Sequence, residues 1–202
     1  SDNTSVDVLL RVLGGAEKVT TYLRSKGIDG MRVDHDEKSI DREVEGLAVG
    51  ATAAPGESDA SVLARERRGY MTFLRDPRNT TTPVAATTFL RKLWSGELLS
   101  KTSTQHLLDM MYAQTTPNRM RQGLAPGIRL ADKCGTAGTI DGRTSAYNDI
   151  GIFVGPDGHV MTVAAFLMDA HMDKAGRDAL YKEVGQVISS VASERPAVAR
   201  RT

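Results

Sequence analysis

Lys133-Cys134-Gly135-Thr136 groups an ammonium, a thiol and a hydroxyl around one glycine. On a strand, such a stretch offers main-chain donors to an oxyanion and a lysine to anchor a carboxylate, while Gly135 lets a ligand approach the backbone. The same four residues also fit an exposed lysine before a tight turn. Glu37 by itself is one charge in the solvated run Arg32 to Glu45. An acyl-transfer centre of the serine–lysine type needs a lysine one helical turn after the nucleophile. No serine here has a lysine three positions on. His35, His106, His159 and His171 share no metal-ligand spacing and read as surface or helix-face residues. The glycines form no dinucleotide fingerprint.

The elements that must hold these residues follow from periodicity. Thr4 to Lys26 reads as helix, with Val6, Leu9, Leu10 and Leu13 and then Val19, Tyr22 and Leu23 at helical spacing. Gly14-Gly15 breaks it in two, Asn3 or Thr4 could cap its start, and Lys26-Gly27 stops it. Residues 30–79 read as an extended loop with a short helix at Ser61 to Leu74, closed by Asp76-Pro77; a loop of that length usually signals function or disorder. Thr82 as cap and Pro83 at the first position open a helix with Phe89, Leu90, Leu93 and Trp94 on its apolar face, ended by Gly96. Ser103 to Tyr112 is another, with Leu107, Leu108 and Met111 inward. Strands follow at Ile128 to Asp132, Asp149 to Val154 and His159 to Met168, the last two joined by the turn Gly155-Pro156-Asp157-Gly158. Asp173 to Val191 closes as a helix with Leu180, Val184, Val187, Ile188 and Val191 on one face. The order predicts α/β or α+β layers: an antiparallel sheet with a terminal helix packed on it, plus a helical subdomain. The expected division is 1–127, helical, and 128–202, strands and final helix.

Composition narrows the partners. The chain has 202 residues, a net charge of +1 and 40% hydrophobic residues, which suits a soluble globular protein. Neither nucleic acid nor an anionic membrane surface is suggested by that balance. The longest apolar run, Val160 to Met168, falls well short of the roughly 20 residues a spanning helix needs. The basic end Arg195 to Arg201 reads as a solvated tail. A single cysteine excludes an intrachain disulfide and a cysteine-based zinc cluster. The N-terminus lacks the basic and apolar segments of a secretory signal.

Several blocks in order carry a resemblance. Asp132 to Thr139, a turn at Asp141-Gly142 and Asn148-Asp149-Ile150-Gly151 resemble the Lys-Thr-Gly strand and following strand of class A serine β-lactamases. Ser1-Asp2-Asn3-Thr4 with its helix and Gly14-Gly15 resembles the family's Ser-Asp-Asn loop. Thr80 to Ala85 with Leu98-Leu99-Ser100 resembles the helix after its omega loop, and Leu124-Ala125-Pro126-Gly127 the approach to the strand. The resemblance implies a β-lactamase/transpeptidase-like fold and a chain running from the Ser-Asp-Asn loop to the C-terminus. The nucleophile of the Ser-x-x-Lys motif would then lie on an upstream segment. It also implies β-lactam hydrolysis through a serine acyl-enzyme, no cofactor, a monomer, and export to the periplasm or outside.

By the same resemblance, Ser1 relays a proton to the leaving lactam nitrogen and Asn3 binds the substrate amide. Lys133 sets the electrostatics of that relay, and Thr136 lends its backbone N–H to the oxyanion hole. Glu37 falls where the family carries the carboxylate that activates the deacylating water. Asp41 stands where the family has the asparagine that helps hold this water, and a second carboxylate would raise the proton affinity of both. Cys134 replaces the usual hydroxyl residue that contacts the substrate carboxylate; it is either a weaker contact or a small buried filler. Tyr147 occupies the position of a common arginine, and Arg119 is placed to supply a guanidinium instead, with Arg121 a competitor. Residues 42–79 exceed the usual omega loop. Their composition leaves open whether they widen the site, cover it or contact a partner. The alternatives are a penicillin-binding or esterase-type serine hydrolase, and a catalytically degenerate member.

Overall fold

The computed structural model describes residues 2–48, 50–116 and 119–194. Ser1 and the basic end Arg195 to Arg201 lie outside the described residues. The chain divides into two compact units, residues 1–86 with 137–145 and residues 87–136 with 146–202.

In the first unit, α1 (Asn3–Val12) and α2 (Ala16–Ser25) are separated at Gly14 and Gly15, which take φ of 88° and 110°. Only glycine adopts these angles at low cost. The cap of α1 is neither Asn3 nor Thr4 but Asp2, whose carboxylate accepts from Ser5 N–H at 3.0 Å. Gly27, at φ 69°, ends α2 as the sequence implies. Leu10, Leu23 and Ile28 are buried between these elements.

Residues 30–79 are more ordered than an extended loop. They contain α3 (Glu37–Val44) and α4 (Asp59–Phe73), which pack on each other. The helix α3 escapes a periodicity reading because only Ile40 and Val44 are apolar in eight residues. Its local signal is Asp36, which caps it by accepting from Ser39 N–H at 2.9 Å. Gly69 of α4 lies directly against Gly46; a Cβ on Gly69 would come within 2.3 Å of Gly46 N. The loop base is pinned by reciprocal bonds: Asp34 N–H to Asn79 Oδ1 at 2.8 Å, and Asn79 N–H to Asp34 Oδ2 at 2.9 Å. The first unit is completed by β2 (Thr139–Ile140) and the start of β3 (Arg143–Val154), joined at Asp141-Gly142 with φ of 52° and 74°. Two consecutive positive φ values are what a tight hairpin turn requires.

The helix α5 (Pro83–Trp94) begins in the first unit and runs into the second. Thr82 Oγ1 accepts from Ala85 N–H at 3.1 Å, so the predicted cap is observed. Leu90 and Leu93 are fully buried. The second unit continues with α6 (Lys101–Tyr112), capped by Ser100, a 3-10 helix at Arg119–Gly123, β1 (Arg129–Thr136), β4 (Val160–Ala170) and α7 (Lys174–Glu194). The strand β1 pairs antiparallel with β3, Arg129 opposite Val154 through Thr136 opposite Tyr147. The strand β4 pairs with β3 as well, leaving β1 and β4 with one strand neighbour each among the described residues. The turn between β3 and β4 closes by Gly155 N–H to His159 O at 2.8 Å.

The helix α7 turns only part of its apolar face inward, with Val184 packed on the core beside the buried Ile188. Tyr181, Gly185, Ile188 and Ser189 are buried, while Leu180, Val187 and Val191 are exposed. Backbone proximity explains the difference. A Cβ on Gly185 would come within 2.1 Å of Met120 O, and one on Gly123 within 2.0 Å of Lys182 O. The 3-10 helix therefore needs the small-residue face of α7. That face joins Met120, Leu130, Tyr147 and Phe153 in the core.

Candidate active site

The strand β1 carries the second unit's share of the candidate residues. Side chains alternate along it, so Leu130, Asp132, Cys134 and Thr136 point one way and Ala131 and Lys133 the other. Lys133 is exposed, with its ammonium donating to Cys134 O. A Cβ built on Gly135 meets nothing within 4 Å, so the strand opposite Tyr147 and Asn148 has open space beside it. Cys134 is half-buried, and its thiol lies 3.7 Å from Thr116 Oγ1, a weak donor to a weak contact.

Arg119 is buried, at 3% exposure, and has φ of 72°, a rare backbone state for a non-glycine residue. Its guanidinium stacks 3.9 Å from the centre of the Tyr147 ring. One terminal nitrogen donates to Gly135 O at 3.1 Å and to Asn148 O, and the other donates to the Thr136 hydroxyl. The structure thus brings Arg119, Thr136 and the Gly135 backbone together around Tyr147. Arg121, the competing arginine, is instead paired with Asp132 and Leu130 O. Tyr147 is fixed from the other side by Tyr181, whose hydroxyl donates to Tyr147 O and whose ring meets it edge-on at 5.6 Å. The Tyr147 hydroxyl donates to Asp178.

Behind this layer lie two buried carboxyls. Asp132 is pushed above the usual carboxylate range by burial, with Arg121 opposing the shift. Asp149, opposite Cys134 in the ladder, is pushed up to about 7, by burial first and by the charge of Asp132 second. Neither Asp149 oxygen has a hydrogen-bond partner in good geometry. Asp149 belongs to the Asn148 to Gly151 block, whose residue types carry no sign of this environment. Its signal was present in the strand period, which puts Asp132 and Asp149 on one face.

The first unit carries Asn3, Glu37 and Asp41. Asn3 is the exposed first residue of α1. Glu37 is the half-buried first residue of α3, and Asp41 is exposed one turn later on the same helix. Asp7 ties the two helices together: its carboxylate accepts from Glu37 N–H at 2.7 Å and from Lys38 N–H at 3.3 Å. Asp7 lies one helical turn after Asn3, so α1 connects these two candidates. Sequence reasoning passed over Asp7, whose partner is thirty residues away along the chain. His35 is not a surface residue. It sits 3.1 Å from Glu43 and 2.7 Å from Arg78, inside the neck of the 30–79 segment.

A family model described as the beta-lactamase enzyme family matches residues 1–192. The chain belongs to the beta-lactamase enzyme family. It is 28% identical over 187 residues to the extended-spectrum beta-lactamase PER-1 of Pseudomonas aeruginosa, covering 92% of this chain and 51% of that one. With beta-lactamase CTX-M-97 of Escherichia coli the identity is 30% over 183 residues, covering 89% and 51%. Among solved structures, TLA-3 extended-spectrum beta-lactamase matches with a TM-score of 0.75 and 26% identity, over 94% of this chain and 59% of that one. An ancestral class A beta-lactamase matches with a TM-score of 0.71 and 33% identity, over 94% and 60%. The resemblance to class A enzymes and the β-lactamase-like fold are thereby borne out. The chain spans about half the length of the curated relatives it matches. No helix of the described residues of this family member is long and apolar enough to cross a membrane. No group of metal-ligating side chains occurs among them either.

Proposed function

We propose that this chain forms part of a serine β-lactamase, with the nucleophilic serine and its lysine upstream of Ser1. That serine opens the lactam as an acyl-enzyme, and the lactam nitrogen takes its proton through the Ser1 hydroxyl. Thr136 lends its backbone N–H to the oxyanion, Asn3 binds the substrate amide, and Lys133 holds the field that favours proton relay and carboxylate approach. Water then attacks the ester carbonyl. Glu37 accepts the water's proton and returns it to the departing serine oxygen, which restores the free serine and the carboxylate base. In this scheme Asp41 flanks the water, and residues 30–79 act as an enlarged omega loop.

The observation that carries the reading is the placement of Lys133 to Thr136 on an edge strand with open space at Gly135, in a member of this family. Arg119 supports it as a positioning residue: it donates to the Thr136 hydroxyl and so orients that hydroxyl toward a carboxylate-bearing substrate. Cys134 is a weak substrate contact or a filler against Thr116. The enzyme would work as an exported monomer with no cofactor.

Glu37→Gln in the complete protein tests the scheme. It should leave acylation by a chromogenic cephalosporin nearly intact and slow deacylation by about 100-fold or more. An acyl adduct would then accumulate and be visible by mass spectrometry. Unchanged turnover would sink the assigned base and favour a penicillin-binding type of hydrolase. Absence of both hydrolysis and adduct in the unaltered protein would sink the enzyme reading altogether.

A further inference from the structure

The helix α4 lies wholly within residues 42–79, whose composition leaves their role open. It is held from two sides inside the first unit. Arg65 and Gly69, one turn apart, face the turn that ends α3. Gly69 packs directly on Gly46, while Arg65 donates to Glu45 O and pairs with Glu57 at 3.1 Å. Arg67, Tyr70 and Met71 face the hairpin made by β2 and the start of β3. Arg67 pairs with Asp141 at 2.7 Å, at the hairpin's tip. The Arg143 guanidinium lies 5.3 Å from the centre of the buried Tyr70 ring and donates weakly to Met71 Sδ at 3.8 Å.

Within the hairpin, β2 is two residues long and pairs Thr139 with Thr144 and Ile140 with Arg143. The Thr139 and Thr144 hydroxyls share a bond at 2.7 Å, and Ser145 N–H reaches Gly138 O at 3.4 Å. A two-stranded hairpin this short is marginal in water without an element packed on it, and α4 is that element. Its position matters because Ala137 and Gly138 alone separate β2 from Thr136 at the end of β1. In the hydrolytic scheme the substrate carboxylate is drawn to Lys133 and the lactam carbonyl meets Thr136 N–H. The acylamino arm then runs on in the direction the chain takes after Thr136.

We propose that Arg67 is a specificity-determining residue of this hydrolase. It touches no substrate and acts by position: its ion pair with Asp141 ties the hairpin to α4, so the hairpin cannot swing aside for a bulky acylamino group. The helix α4 is thus a brace that narrows the range of substrates. This selectivity presupposes the hydrolytic scheme above, but the bracing of the hairpin does not.

The complete protein, Arg67→Glu, Asp141→Asn and the double variant are compared on cefalotin, with a slender acylamino group, and ceftazidime, with a branched one. Both side chains are about half exposed, and asparagine tolerates the φ of 52° at position 141, so the variants keep the fold. Arg67→Glu should raise the ceftazidime-to-cefalotin ratio of kcat/KM by up to about fivefold, the range of an exposed ion pair, through a lower KM for ceftazidime. Asp141→Asn should move the ratio the same way, and Arg67→Glu should add little on that background. A merely structural role would lower both substrates together. Without substrate, amide exchange followed by mass spectrometry should quicken several-fold in residues 138–145 of Arg67→Glu and stay unchanged in 130–136. An unmoved ratio, additive effects of the two changes or unaltered exchange would each overturn the proposal. No hydrolysis by the unaltered protein would overturn the hydrolytic scheme and the selectivity with it, whereas hydrolysis with an unmoved ratio overturns the selectivity alone.

Discussion

Asp149 and Arg119 sit on the same side of β3 and do opposite things to the charge balance near Thr136. Arg119 keeps its guanidinium buried by stacking on Tyr147 and giving its terminal nitrogens to two carbonyls and a hydroxyl. Asp149 has no hydrogen-bond partner in good geometry and is pushed up to about 7, against about 4 for an unfolded aspartate. Between those values the folded chain holds a proton that the unfolded chain has lost. Stability should therefore fall as pH rises from about 4 to 7, and level off above. Asp149→Asn should remove that slope and raise stability at pH 8 by on the order of 1–3 kcal/mol. Urea midpoints measured from pH 4.5 to 8.5 on both proteins check this, and parallel curves would refute it. Arg119→Lys should lower kcat/KM by about tenfold, because an ammonium cannot serve Gly135 O, Asn148 O and Thr136 together. The types of Lys133, Gly135 and Thr136 fitted an exposed turn as well as chemistry, and only the neighbouring blocks pointed to the second. The burial of Asp149 was not legible, because it depends on which residues cover the strand.

Elements show where local rules suffice and where they fail. Caps and turns spoke through single residues: Thr82 before Pro83, Gly14-Gly15, and Asp141-Gly142. The helix α3 did not, because its start is set by Asp36 and Asp7 and only Ile40 and Val44 are apolar along it. Asp7→Ala removes the acceptor for two N–H groups at the start of α3, just where Glu37 stands. The expected cost is about 1 kcal/mol in stability. If Glu37 activates the water, deacylation should slow by several-fold while acylation is unchanged, as pre-steady-state kinetics would report. An effect on acylation alone would separate Asp7 from Glu37. The face of α7 was legible only in part, through Val184 and Ile188, for a related reason. Hydrophobicity marks Leu180, Val187 and Val191, but close backbone approach selects Gly185 and Ser189, and a periodicity argument weights small residues too lightly.

At the scale of the molecule, those exposed residues join another unusual feature. The strand β4 runs eleven residues, Val160–Ala170, with apolar side chains on both faces, and has β3 as its one strand neighbour among the described residues. Met161, Val163, Ala165 and Leu167 pack on the core, while Met168 is 67% exposed. A long apolar edge of this kind pairs readily with another chain unless something covers it. The relatives are about twice as long as this chain, and the proposed nucleophile requires further sequence. The 202-residue chain expressed by itself should therefore self-associate and bind a hydrophobic dye, while the complete protein runs as a monomer and binds little. Met168→Lys on the isolated chain should reduce its association, since a charge at an edge disfavours strand pairing. Size-exclusion chromatography with light scattering measures both. A monomeric, dye-silent 202-residue chain would show that β4 and the outer face of α7 need no cover, and the hydrolytic scheme would then rest on the site residues alone.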